Sequence, residues 1–208
     1  FCDANVFELC GYMDTSNVID MSSMFSNFNI KIEYRDVKRN LDMSWMNTSK
    51  VIKMNHMFKY CALDTINVGW KCLDELQSIC GIFSGVSKTN IIGMEHWRTP
   101  RLLDVTDMFN DANIRGGVIV GGDFPRLSSS YTSMFYNAWI DLVDFTEGRI
   151  RDDGHSESDD GLVFNAFTHF TGTLLFNKNY EGTKQLVDAI RNFCDSSSQG
   201  KNIDLTFI

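Results

Sequence analysis

No stretch of 18 apolar residues occurs anywhere in the 208-residue chain, so no segment reads as a membrane-spanning helix. The opening FCDANVFELC has neither the basic flank nor the apolar run of a secretory leader. It also lacks an initiator methionine, from which we expect a processed chain or a segment of a longer one. Positive charge is scarce: 19 Lys and Arg stand against 27 Asp and Glu, a net charge of −8, and no basic run gathers them. A phosphate backbone finds no attractive field here, which argues against nucleic acid as a partner. The six cysteines (Cys2, Cys10, Cys61, Cys72, Cys80, Cys194) make no CxxC pair and no zinc spacing with histidine. Most are expected to be small apolar core residues, with one or two bridges as the alternative.

Motifs of catalysis are missing as well. GGVIVGGD at 116–123 has neither the Lys-Ser/Thr ending nor the spacing of a nucleotide fingerprint, and reads as a strand between two glycine turns. There is no GxSxG, and Ser128 to Ser130 have no partner histidine that the sequence reveals. His56, His96, His155 and His169 are scattered, without an HxxxH spacing, and are expected to be solvated or packed. DDGHSESDDG, from Asp152 to Gly161, is dense in carboxylate but lacks the order of a calcium loop, so we expect a solvated loop there, with a cation site or a contact surface as the alternatives. Asn47-Thr48-Ser49 fits a glycosylation acceptor, yet the corresponding Asp14-Thr15-Ser16 indicates a position that wants a turn-forming side chain. No cofactor and no metal are implied.

What the sequence does contain is a repeat. Residues 14–25 read DTSNVIDMSSMF and residues 47–58 read NTSKVIKMNHMF, with seven of twelve positions identical and Asp20 replaced by Lys53. The apolar positions are kept and a charge is reversed, the opposite of what a catalytic motif requires. Aligning on the final Phe gives Phe25, Phe58, Phe83, Phe109, Phe135 and Phe167, spaced by 33, 25, 26, 26 and 32 residues. The position before it holds Met24, Met57, Ile82, Met108, Met134 and Ala166. Four before it stand Met21, Met54, Ile79, Val105, Tyr131 and Val163. Seven before it come Val18, Val51, Leu76 and Leu102, then Ser128 and Asp160, so the last two copies have decayed there. Three after it come Phe28, Cys61, Val86, Ala112, Ala138 and Phe170, and five after it Ile30, Leu63, Lys88, Ile114, Ile140 and Gly172.

A composition of 43% apolar and 22% charged residues is that of a folded chain. Each unit of about 25 residues reads as a tight apolar turn or short helix followed by a short strand, as in IKIEY, LDTINV, IRGGVIV and IDLVDF. Such units cannot bury their own apolar face, so they are expected to stack, with strands pairing in parallel from one unit to the next. Asp20 and Lys53 then point outward and are free to differ. Tyr12, Trp45 and Trp70, six before Val18, Val51 and Leu76, with Trp97 five before Leu102, are expected to seal the corner between strand and turn.

These columns resemble the BspA-type leucine-rich repeats, in the variant W-x-x-S-x-V-x-x-M-x-x-M-F abundant in bacterial surface proteins and lipoproteins. WMNTSKVIKMNHMFKYCALDTI carries the resemblance most specifically, and it extends from residue 12 to about 140. The resemblance implies a surface-displayed, non-enzymatic module for adhesion or protein contacts, with no catalytic residues.

The expected fold is therefore an α/β repeat solenoid spanning residues 1–208 as one domain. It is a leucine-rich-repeat-like stack of about six coils with one parallel sheet and short turn or helix segments. Residues 173–208 form a C-terminal strand-helix-strand cap, in which Thr183 caps a helix and Leu186, Val187, Ile190 and Phe193 share its apolar face. VFELCGYM reads as the strand of a coil whose first half is absent, and we expect a longer parent chain or a neighbouring subunit to cover that end. The expected function is protein interaction at an extracellular, cell or virion surface, with a protein partner or neighbouring subunit. Lys31, Glu33, Arg115 and Asp141 are the expected contact residues on the outward strand face. The alternatives are a solenoid enzyme acting on polysaccharide, for which Asp141 and Asp144 are the available carboxylates, and an intracellular scaffold.

Overall fold

The computed structural model describes residues 2–3, 5–6, 13–30, 39–124, 133–150, 166–176, 188, 190–191 and 203–207. Along them run β1 (Asn5–Val6), β2 (Asn29–Ile30), β3 (Asn40–Asp42), β4 (Thr65–Asn67), β5 (Ser87–Ile92) and β6 (Asn113–Ile114). They are followed by β7 (Val118–Ile119), β8 (Gly122–Phe124), β9 (Trp139–Asp144), β10 (Gly148–Ile150), β11 (Thr171–Phe176) and β12 (Ile203–Phe207). The main sheet has eight strands in the order β12-β11-β9-β6-β5-β4-β3, with β7 also paired to β9. β1 pairs with β2 and β8 with β10 in two small ladders. Every strand pairing among the described residues is parallel. A parallel sheet whose strand order follows the chain is compatible with a stack of repeats.

Helix is almost absent among the described residues, confined to a 3₁₀ turn at Met94–His96 and to residues 166–167, 188 and 190–191. The expectation of short helices is corrected for a physical reason. The three-residue spacing of apolar positions, which mimics a helical period, comes from consecutive turns: Met57 N–H donates to Met54 O (3.3 Å), Lys59 to His56 O (3.1 Å) and Cys61 to Phe58 O (3.1 Å). The amides between them leave the unit altogether. Met54, His56, Phe58 and Tyr60 donate to Ser78, Cys80, Ile82 and Ser84 at 2.7–2.9 Å, and Ile79, Gly81, Phe83 and Gly85 donate to Asp104, Thr106, Met108 and Asn110 at 2.8–3.0 Å. Local and inter-unit bonds alternate residue by residue, so no helical run can propagate.

This alternation requires left-handed backbone two residues before and two after the repeat Phe. Ser23, His56, Gly81, Asp107 and Ser133 occupy the first position and Asn27, Tyr60, Gly85, Asp111, Asn137 and His169 the second, all with φ between 52° and 67°. For any residue but glycine this costs about 1 kcal/mol or more. Asn and Asp tolerate it best, and they recur here.

The repeat Phe side chains form one column. Phe25, Phe58, Phe83, Phe109, Phe135 and Phe167 are buried, and successive rings lie 5.1–5.7 Å apart and within 18° of parallel. Inward residues are also matched along the sheet in two segments, Leu41 with Ile66 and Ile91, and Val118 with Val143 and Leu174, all buried, the second running on to Leu205. Between the columns the core is filled by Met54, Met57, Ile79, Ile82, Val105 and Met108. Trp70 and Trp97 are buried at the corners, stacked 5.6 Å apart, and each indole N–H reaches the preceding unit, at Met43 O and Val68 O. Trp45 is half-buried and donates to Asp42 O of its own unit (2.9 Å). Tyr12 lies outside the described residues.

Two expectations about the columns change. Lys88 does not occupy the strand column: the register shifts between Ser87 and Thr89, Lys88 takes φ 55° and is exposed, and Thr89 pairs with Ile114 instead. Thr89 is buried there because its hydroxyl donates to Leu63 O (2.8 Å). The cysteines are less uniformly buried than expected. All four described ones are free, but only Cys61 among them is buried, while Cys72 and Cys80 are intermediate and Cys2 is exposed. Of the 33-residue spacing, eight extra residues fall between β2 and β3, since Leu41 follows Phe25 by 16 residues while Ile66 and Ile91 follow Phe58 and Phe83 by 8.

Asp20, Lys53, Ser78 and Asp104 form a ladder of single parallel bridges at the start of each turn. Asp20 and Lys53 are both exposed, and Lys53 helps hold the Asp20 carboxyl below its usual range, after the larger effect of the Ser22 hydrogen bonds. The charge reversal between the copies is thus a solvent-side difference over a fixed interior.

Phe83→Ala should lower unfolding stability by about 3–5 kcal/mol in chemical denaturation, while Lys53→Gln should stay within about 0.5 kcal/mol. Gly85 has φ +67° and lies under the Tyr60 ring, so an added Cβ overlaps that ring. Gly85→Ala should therefore destabilise, and part of the loss should be recovered in the Tyr60→Ala background, a coupling measured by a double-mutant cycle.

Candidate functional site

The outward face of the sheet is where side chains vary. Inward Leu41 and Ile66 are preceded two residues earlier by Arg39 and Asp64, which meet across the units: Asp64 accepts the Arg39 backbone N–H at 2.9 Å and its guanidinium at 3.4 Å. The first of these bonds does most to hold the Asp64 carboxyl below its usual range; the charges of Arg39 and Arg115 add to it. Further along, Ile114 pairs with Ile140, and the next residues, Arg115 and Asp141, are both exposed. Arg115 is anchored by its N–H to Thr89 O (2.9 Å). The strand side so carries two sets of opposite charge on neighbouring strands, Arg39 with Asp64 and, one register position further along, Arg115 with Asp141. It also exposes Ile92, Ile119 and Trp139, by 42%, 43% and 63%.

Of the expected contact residues, Arg115 and Asp141 come together on neighbouring strands, whereas Lys31 and Glu33 lie outside the described residues. Arg39 and Asp64 were missed. Aligning units on the strand residues Leu41 and Ile66 would have found them, because the eight-residue insertion displaces Arg39 when units are aligned on Phe.

The turn face is organised by side chains that close on their own backbone. Asp14, Asp20, Asp42, Asn47, Asn67, Asp104 and Asp144 each accept the N–H two residues on, at 2.8–3.1 Å. Asn47 and Asp14 therefore act as turn formers, and Asp144 is committed to the turn at Thr146. Asn55 Oδ1 links units by accepting from Ser78 Oγ and Cys80 N. Burial pushes the Cys80 thiol up to about 11, helped by Asp104 and Asp107, and burial pushes Cys61 up to about 12. Neither thiol is poised as a nucleophile. Among the described residues no three His, Cys, Asp or Glu side chains gather to hold a metal ion, and no helix is long and apolar enough to cross a membrane. His155, the 152–161 run, Ser128 to Ser130, Cys10 and Cys194 lie outside the described residues.

His56 sits at a left-handed position with its ring over Gly81, where an added Cβ would lie 2.5 Å from Cδ2. Burial lowers its pKa, Lys59 adds to this, and Asp107 and Asp104 oppose it. The unfolded chain therefore takes up the proton first, near pH 6.5, and stability should fall as pH drops from there through the folded value. His56→Gln should remove that slope in denaturation midpoints, leaving the loss below about pH 4 that comes from Asp14, Asp20 and Asp64.

One family model matches the chain twice, over residues 1–115 and 29–140. The second match starts 28 residues and ends 25 residues after the first, about one repeat, as expected of a sequence that resembles itself at that offset. No curated protein and no solved structure matches the chain. The matched family is described as Mycoplasma protein of unknown function, DUF285, and the chain belongs to it.

Proposed function

We propose that this chain is a non-enzymatic recognition module: a single solenoid of about six coils of the BspA-type leucine-rich-repeat kind, displayed at a surface and contacting a protein partner or a neighbouring subunit. The observation that carries the reading is the exposed and oppositely charged pair of neighbours Arg115 and Asp141 on adjacent strands, set on a parallel sheet over an apolar interior. Flat repeated faces of this kind suit broad contacts. The six-membered Phe column supports the coil number.

At the C-terminal end, Phe145, Phe176 and Phe207 stack at 5.3 and 6.0 Å, and the Arg191 guanidinium lies 4.7 Å over Phe207 while pairing with Asp188. With Ile190 buried beneath, this supports the reading of residues 173–208 as a strand-helix-strand cap. Thr183, Leu186, Val187 and Phe193 lie outside the described residues. Of the two surfaces, cell and virion, the family description, which names Mycoplasma, favours the cellular one.

Beads coated with the chain should adhere to cultured cells. The double charge reversal Arg115→Glu with Asp141→Lys, both at exposed positions, should reduce adherence at least fivefold with an unchanged melting temperature. Equal adherence of the two proteins would overturn the assignment of this face.

A further inference from the structure

Trp139 is the most exposed of the large apolar side chains described, at 63%, yet it occupies the interior of the main sheet, not its rim. Its strand is hydrogen-bonded on both sides: Trp139 is in register with Asn113 of β6 and with Thr171 of β11. Buried Ile140 separates it from exposed Asp141, and buried Ile114 separates Asn113 from exposed Arg115, so these side chains share the outward face.

Polar residues flank Trp139 on the neighbouring strands and along its own. Asn113, Arg115, Asp141 and Thr171 make no side-chain hydrogen bond or ion pair among the described residues. Elsewhere on the surface comparable groups are paired, as in Arg39 with Asp64, Arg101 with Glu75, and Asn137 with Asp111 (2.7 Å). An exposed indole face ringed by an amide, a hydroxyl, a carboxylate and a guanidinium matches a ligand that alternates C–H faces with hydroxyls. Two strand spacings by one two-residue step make a patch of about 10 by 7 Å. That is the scale of one or two sugar rings. One cation and one anion balance locally and the chain carries −8 overall, which disfavours a sulfated or otherwise polyanionic ligand.

The geometry points to a carbohydrate-binding subsite centred on Trp139, taking an uncharged glycan stacked on the indole, with Asn113, Asp141 and Thr171 contacting its hydroxyls. This goes beyond the recognition reading above by placing an uncharged glycan on the partner, and it rests on that reading. The test is a glycan array carrying neutral and sulfated oligosaccharides, probed with the 208-residue chain and its variants. Binding to at least one neutral glycan is expected, cut at least tenfold by Trp139→Ala and largely retained by Trp139→Phe. Asp141→Ala and Thr171→Ala provide readouts independent of the ring and should each weaken binding severalfold. A blank array, binding only to sulfated glycans, or equal binding by Trp139→Ala overturns the subsite. If the array is blank while bead adhesion still depends on Arg115 and Asp141, the glycan inference falls and the recognition face stands. If both are lost, both readings fall.

Discussion

The fold depends on where every second amide of the turn segment goes. Between Met54 and Tyr60, and again between Ile79 and Gly85, alternate N–H groups are committed to the next unit; of the intervening ones, Met57, Lys59, Ile82 and Ser84 donate to a carbonyl three residues back, and Asn55 and Cys80 to a side-chain oxygen of the preceding unit. Once this pattern is set, unit spacing is fixed, the strands of successive units fall into parallel register, and the Phe rings are brought to 5.1–5.7 Å in one column. Left-handed backbone at two positions per unit is the condition for it. The unfavourable conformation at His56 or Tyr60 is offset by backbone bonds that leave no turn amide in these segments unpaired and by apolar burial that the pattern makes possible. No single Phe or Met could impose that arrangement.

A second consequence is the separation of roles between inside and outside. Inward columns must match the neighbour above and below, so a change at Phe83 is felt by Phe58 and Phe109 together. Outward positions meet only solvent and one neighbour on each side. The ladder of Asp20, Lys53, Ser78 and Asp104 can therefore hold both charges and a hydroxyl on one backbone geometry. The same freedom lets the strand face carry Arg115, Asp141 and the exposed indole of Trp139 without cost to the core. Recognition is placed where the architecture does not constrain composition.

The inward columns were legible because burial holds residue type constant: Phe, Met and Val recur where the neighbour demands them. The backbone was not, because its signal is spread over unlike residues. Gly81, Gly85, Asp107, Asp111 and Asn137 suggest left-handed positions, but His56 and Tyr60 do not, and the apolar spacing imitates a helix. The bulge at Lys88 was hidden for a related reason, since Thr89 reaches the core only through a hydroxyl bond to Leu63 that no apolar pattern reports. The site was half legible. Arg115 and Asp141 follow directly after inward isoleucines, whereas Arg39 was displaced by the eight-residue insertion and its partner Asp64 was lost with it.

Native-state hydrogen exchange measured by NMR tests the amide pattern most directly. The account predicts that the amides of Met54, His56, Phe58, Tyr60, Ile79, Gly81, Phe83 and Gly85 exchange as slowly as those of Ile66 and Ile91 in the strands, through global unfolding alone. Fast exchange at these turn amides, with protection confined to the strands, would contradict it.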